Sequence, residues 1–293
     1  MSELVTPATA AGPDAGLWSD ALRHLVRRPA AVLSTAVIAV VASMAVFPGL
    51  WTSVDPHDCD IRYARQGISS QHPFGVSELG CDYYAMAVHG TRPSLVIASV
   101  SMAGMLLVGL GTGIVAGYFG GWRDAVISRF GDLFLGLPFL LGSIVLLILL
   151  KTHSSWPLTG VFVLFSWPVL MRITRAKALE TRNLDYVQAA RALGASTTRI
   201  LLRHVLPSSI ASATVVATIS LGSFVSAEAT LSYLGVGLKP PAISWGLMIN
   251  NSQQYFLEDP HLLLFPGGLL VATVLAFIVL CDALRDALDP RTR

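Results

Sequence analysis

Six stretches of this chain are long and apolar enough to cross a hydrocarbon core of about 30 Å, which takes roughly 20 helical residues apiece. They run from Pro29 to Leu50, Ser94 to Tyr118, Ile127 to Leu150, Pro157 to Met171, Pro207 to Ala227 and Leu262 to Cys281. With 53% hydrophobic and 13% charged residues and a mean hydropathy of +0.63, the 293-residue chain reads as an all-α, polytopic membrane protein with six transmembrane helices. The fourth stretch is the shortest. Pro168 interrupts it and Arg172 ends it, which leaves a half-buried helix as the alternative there.

Basic residues set the expected orientation, because loops rich in Lys and Arg stay on the cytoplasmic side. Arg23, Arg27 and Arg28 precede the first span, and Arg123 and Arg129 lie between the second and third. Arg172, Arg175, Lys177, Arg182, Arg191, Arg199 and Arg203 lie between the fourth and fifth, and Arg285, Arg291 and Arg293 end the chain. The opposite side holds only Arg62, Arg65, Arg92, Lys151 and Lys239, beside Asp55, Asp58, Asp60, Glu78, Asp82, Glu228, Glu258 and Asp259. Both termini are therefore expected in the cytoplasm. A net charge of +2 gives no bulk character that would attract nucleic acid or acidic substrates. The opening MSELVTPATAAGPDAG has no apolar period and is expected to be a disordered tail. The first apolar block is longer than a signal-peptide core and is expected to remain as an anchor.

In this orientation Cys59 and Cys81 share the outer segment, while Cys281 falls at the inner end of the last span. Two cysteines in an oxidising compartment suggest a disulfide, with two free thiols as the alternative. The bridge would close a loop of about 22 residues and stabilise it by roughly 3 kcal/mol in the chain-entropy model. DPHDCD, from Asp55 to Asp60, crowds His57, Asp58, Cys59 and Asp60 together. Adjacent residues point in different directions, and no C-x-x-C or H-x-x-x-H spacing completes a metal shell, so a solvated acidic loop accounts for them better.

The expected span cores lack the mid-membrane ionisable groups that an ion-coupled carrier needs. Asp132, Glu228 and Asp282 lie toward span ends and read as interfacial or helix-packing groups. Gly109, Gly113 and Gly117 recur every four residues, a face that lets a neighbouring helix approach closely. Pro138 in LGLPFLLG and Pro168 in FSWPVL break the backbone ladder and mark kinks or hinges. There is no G-x-S-x-G elbow, no H-E-x-x-H and no glycine loop to cradle a phosphate, so the chain carries no catalytic or nucleotide-hydrolysing motif.

One passage stands apart from this apolar background: YVQAARALGASTTRILLRHVLP, residues 186 to 207. Tyr186, Val187, Ala190 and Leu193 recur at three and four residues, one face of a short helix, with Gln188 and Arg191 off it. Gly194 gives a helix stop, Ser196 or Thr197 a cap, and Ile200, Leu201, Val205 and Leu206 an apolar series running to Pro207. The pattern is a helix, a glycine turn and a second helix. Docking to another protein, lying on lipid headgroups and merely fixing topology all remain open from the pattern.

This passage resembles the EAA loop of binding-protein-dependent ABC importer permeases; the matching residues are Gln188, Ala189, Ala190, Gly194, Leu206 and Pro207, with Gln188 in place of the glutamate. HPFGVSELGCDYYAMAVHGTRPSL (His72 to Leu95), LSYLGVGLKPPAISWGLMI (Leu231 to Ile249) and LRDALDPR (Leu284 to Arg291) are similar to the C-type permease subunit of dipeptide, oligopeptide and nickel importers. Cys81 stands where that branch usually has arginine, which favours a bridge to Cys59. The resemblance implies a type I, MetI-like permease fold: a tail at 1–22, a first span at 23–51, an extracytoplasmic segment at 52–93, a five-span core at 94–283 with coupling helices at 182–206, and a tail at 284–293. It implies ATPase docking through Tyr186, Gln188, Ala189, Ala190, Arg191, Leu193, Gly194, Ala195, Ser196, Arg199, Leu206 and Pro207. The implied partners are a second, B-type permease, one or two ABC ATPase subunits that use ATP and Mg, an extracytoplasmic peptide-binding protein and membrane lipid, without nucleic acid. The chain itself would bind no cofactor and act as a transport subunit in a prokaryotic plasma membrane. A peptide is the expected cargo, nickel or another small solute the alternative, and an ion-coupled carrier or membrane-embedded enzyme the readings from other classes.

Overall fold

A computed structural model describes residues 28–151 and 154–288. The expected tail at 1–22, Arg23, Arg27, and the terminal Asp-Pro-Arg with Arg291 and Arg293 lie outside the described residues. The described residues are mostly helical, and their only β pairings are isolated bridges, Cys59 with Cys81 and Val76 with Asp82.

Helix α1 (Pro29–Val46) opens the bundle with Pro29 in its first turn, where the missing N–H costs nothing. Helix α2 (Tyr83–Phe119) begins well before Ser94, because the Asp82 side chain accepts the Ala85 N–H at 2.7 Å and caps it. Gly120, at φ +65°, ends it. The third apolar stretch is not one rod. Helix α3 (Gly121–Leu135) and helix α4 (Phe139–Leu150) meet at 87° around Pro138, whose ring cannot continue the helical ladder.

The fourth stretch departs most from expectation. Helix α5 (Ser155–Arg182) is 28 residues long and continuous through Pro168. Its apolar window is 56% buried within the protein, against 28% for α1, α2 and the last helix. Its apparent shortness in sequence reflects position: a helix at the centre of a bundle can carry polar residues that face other helices, so hydropathy understates it. The glycine face of α2 makes this contact. A Cβ at Gly109 would meet Leu170 Cβ at 2.8 Å and the Trp167 carbonyl at 2.9 Å, and one at Gly117 would meet Ala178 Cβ at 2.8 Å. At Gly113 it would overlap Thr174, whose hydroxyl donates to the Gly109 carbonyl at 3.0 Å. The two backbones therefore run as close as side-chain-free contact allows.

After α5 come α6 (Asp185–Ala192) and α7 (Thr197–Ile200), a π-turn over Leu201–Val205, and α8 (Leu206–Tyr233). Pro207 does not end the second helix: Thr197–Tyr233 runs on as 37 helical residues. The π-turn closes a Leu206 N–H to Leu201 carbonyl bond just before the proline, where the normal ladder loses a donor. Helix α8 also reaches past Ala227, so Glu228 lies inside it rather than in an outer loop, fully buried. Ser94 Oγ and Ser232 Oγ each donate to its carboxyl at 2.8 Å, which ties α2 to α8. Helix α9 (Trp245–Ser252) and α10 (His261–Leu288) complete the chain. Cys281 is a buried free thiol.

Candidate functional site

Two structures stand at opposite ends of α2. At its C-terminal end lies the 182–207 segment. Helix α6 finishes in a Schellman arrangement: Ala195 N–H donates to the Ala190 carbonyl and Gly194 N–H to the Arg191 carbonyl, both at 3.0 Å, with Gly194 at φ +82°. Ser196 Oγ then accepts the Arg199 N–H at 3.3 Å and starts α7.

Side chains of this segment divide into two sets. Val187, Ile200 and Val205 are buried with Ile114 and Tyr118 of α2 and Ala178 of α5, with Ala195, Leu201 and Leu206 partly buried against them. Tyr186 does not join that cluster; it is half exposed, its ring centroid 5.5 Å from that of His204. Leu193 is 88% exposed. The expected apolar face of Tyr186, Val187, Ala190 and Leu193 is thus reduced to Val187 with a partly buried Ala190. The reason is length: an eight-residue helix set at an angle to its support touches it along about one turn. Gln188, Ala189, Arg191, Gly194, Ser196, Arg199 and Pro207 are all exposed.

Two arginines fasten the segment to α2. Arg182 donates to the carbonyls of Gly117 and Tyr118 at 3.1 and 3.2 Å, satisfying helix-end acceptors that have no partner inside the helix. Arg191 donates to the Tyr118 hydroxyl at 3.2 Å and stands 5.7 Å from the centre of its ring. The contacts of Tyr118 and Arg182 were missed in the sequence reading, and their signal was faint: an aromatic just before Gly120-Gly121 and the last arginine of a long helix. Nearby, Arg175 of α5 and Asp124 of α3 make a two-point ion pair, with Nη2 and Oδ2 2.6 Å apart.

At the other end of α2 sits a compact cap. Cys59 and Cys81 are joined by a disulfide across 22 residues. Asp82, which caps α2, also lies 2.6 Å from His72 Nδ1. Arg65 pairs with Glu258 and, at 2.7 Å, with Asp259, and its guanidinium covers the Tyr255 ring at 4.7 Å. Arg62 binds Asp60 at 2.5 Å, and this hydrogen bond holds the Asp60 carboxyl below its ordinary range. Beneath the cap the Tyr83 hydroxyl lies 2.6 Å from the Leu262 carbonyl and 2.7 Å from Ser252 Oγ, and Trp245 Nε1 donates to the Ala87 carbonyl at 3.1 Å. Among the described residues no cluster of His, Cys, Asp or Glu is arranged to hold a metal ion.

Between these ends, the bend at Pro138 opens a cavity of about 850 Å³ against α5 and α8. Its lining carries hydroxyls from Ser166, Ser220, Ser223, Ser226 and Thr230 and no charged side chain.

Comparison with known proteins agrees with this architecture. Residues 109–293 match the family of the binding-protein-dependent transport system inner membrane component, and residues 16–73 match the N-terminal TM domain of oligopeptide transport permease C. The chain is 33% identical over 276 residues to the dipeptide transport system permease protein DppC of Alkalihalophilus pseudofirmus, covering 94% of this chain and 90% of that protein. It is 32% identical over 277 residues to the oligopeptide transport system permease protein OppC of Bacillus subtilis, with 94% and 90% covered. The glutathione transport system permease protein GsiD of Pectobacterium atrosepticum is also 32% identical, with 94% and 92% covered. Among solved structures, an inward-facing MetNI methionine ABC transporter superposes with a TM-score of 0.56 at 20% identity, over 69% of this chain and 96% of that one, and shares the fold.

Proposed function

The chain belongs to the family of binding-protein-dependent transport system inner membrane components, and from that premise we propose that it is the C-type permease subunit of an ATP-driven peptide importer. The observation that carries the mechanism is the 182–207 segment: an exposed knob of Gln188, Ala189 and Leu193 at a short helix, joined by the Gly194 turn to Thr197–Tyr233, 37 helical residues that include the π-turn. A partner pressing on that knob moves α8 directly and α2 through Arg191 and Tyr118.

In this reading an ABC ATPase subunit, which binds ATP and Mg, grips the knob, and closure of the ATPase pair swings the spans. With Gln188 where a glutamate is usual, the grip rests on apolar fit around Leu193 and on Arg199 rather than on an acid. A B-type permease supplies the other half of the path, and the uncharged cavity beside Pro138 faces it. An extracytoplasmic peptide-binding protein delivers cargo to the cap side, so both termini and the 182–207 segment lie in the cytoplasm.

The test is a cross-link and a transport assay on one complex. Leu193→Cys should couple to a cysteine placed in the ATPase subunit's docking groove, and the cross-linked complex should neither import peptide nor cycle. Failure of the purified complex to contain an ATPase, or peptide uptake that persists when ATP hydrolysis is blocked, would sink the proposal.

A further inference from the structure

The basic side chains on the cap side are not alike. Arg62 and Arg65 are neutralised by Asp60, Glu258 and Asp259. Arg92, on the third turn of α2, makes no ion pair among the described residues and is exposed. It lines a crevice of about 620 Å³, walled by residues 52–57, by His89 one turn earlier on α2, and by Pro241, Ala242 and Ile243. That volume falls in the range of small-ligand clefts, roughly 300–1,000 Å³.

Asp55 is the crevice's single acid; Oδ1 accepts the His57 backbone N–H at 2.8 Å, and it makes no ion pair with Arg92. His89 Nδ1 lies 3.0 Å from the Ala85 carbonyl. A carbonyl can only accept, so Nδ1 carries the proton and Nε2 is the ring's remaining polar atom. The His57 imidazole and the Arg92 guanidinium are left without a side-chain partner among the described residues, and of the two only the guanidinium is a planar fork of donors matched to a carboxylate.

We propose that this crevice receives the C-terminal carboxylate of a short peptide as it enters the path, with Arg92 as the group that reads it. The inference rests on the peptide-permease reading above. An unpaired guanidinium in an open crevice is matched to a single carboxylate, the group that ends every unmodified peptide. The rest of the peptide would lie along the neutral walls offered by Thr52, Ser53 and Ala242.

The experiment is a two-by-two cycle on the complete complex in proteoliposomes, with saturating binding protein. Uptake of trialanine and of its C-terminal amide is measured for the wild type and for Arg92→Gln. Any preference of the binding protein for a free carboxylate enters both rows equally and cancels in the ratio of ratios. Amidation should lower wild-type uptake about tenfold more than it lowers uptake by the variant, the scale of one charge-assisted hydrogen-bonded contact. Ala242→Glu, which sets a competing carboxylate beside the intact guanidinium, should depress the free acid more than the amide and gives a second reading if Arg92→Gln fails to assemble. Equal loss of both peptides in both variants would mean that Arg92 meets a protein surface or supports the fold, and an unchanged ratio would mean that it reads nothing; either overturns the inference. Wild-type uptake of neither peptide would instead overturn the peptide reading beneath it.

Discussion

The two ends of α2 are built on opposite principles. The cap end is cross-linked by a disulfide, by the Arg65 pairs to the loop before α10, and by buried bonds from Tyr83 and Trp245. The 182–207 end is held by a cluster of a few apolar side chains and two arginines, and leaves Leu193 standing in the open. In the proposed coupling, one end would serve as a fulcrum and the other as a handle. A lever needs both: motion applied at a loosely seated handle is useful only if the far end does not yield with it.

The sharpest way to break this contrast is at the handle's hinge. Gly194 has open space around the position of a Cβ, so the strain of Gly194→Val comes from φ +82° alone. Transport should fall by roughly tenfold or more, since misplacing a mechanical contact costs on that scale, while the amount of chain in the membrane stays the same; uptake assays with a blot of the membrane fraction decide it. Full uptake would mean that the segment's shape is irrelevant to coupling.

Next comes the fulcrum. Replacing Cys59 by Ser removes a cross-link worth about 3 kcal/mol to the cap, so hydrogen exchange over residues 59–82 should quicken sharply while ATPase docking is retained. If exchange slows or stays constant, the cap is held by its polar contacts instead. Arg65→Gln should lower the melting temperature modestly, chiefly through Asp259, which is only 17% exposed while the Glu258 partner is largely solvated. A thermal melt of the purified complex reads this, and an unchanged melt would assign the joint to Tyr255 and Tyr83.

Tyr118→Phe sharpens the other side of the comparison: it deletes the hydrogen bond from Arg191 but keeps the ring. Uptake per ATP hydrolysed should drop about two- to thirteenfold, the worth of one net hydrogen bond of roughly 0.5–1.5 kcal/mol. The smallest effect belongs to Asp60. Its pKa is lowered below the ordinary 3.8 by Arg62, so whatever stability the pair adds is present above that value and is lost as pH falls through the folded one. Asp60→Asn should therefore change the melting temperature least of all, and only above the carboxylate range; a large shift would show that this exposed pair matters to the cap.

Legibility in the sequence followed the range of the interaction. Local patterns were readable: the glycine face at 109, 113 and 117, the break at Pro138, and the glycine stop at Gly194 before a serine cap. Each depends on residues within a turn or two of one another. The central place of α5 was not readable, because its apolar content is diluted by polar groups that face α2 and α3 rather than lipid. Burial of Glu228 escaped for the same reason: nothing near it in sequence announces that Ser94, 134 residues earlier, supplies a hydroxyl. The exposure of Leu193 inverted a reading from periodicity, since a short helix has too few turns for its apolar face to be the face it buries.

The chain by itself determined that it is a helical membrane protein, which stretches of it are the apolar spans, and that one polar insert forms two short helices around Gly194. These follow from transfer energies and backbone chemistry that act over a few residues. Tertiary structure alone decided that α5 is the axis of the bundle, that Arg191 reaches Tyr118, and that Arg92 stands unpaired in a crevice between segments distant in sequence. Those outcomes depend on which side chains the packed backbones bring within hydrogen-bonding reach, a quantity no local pattern carries.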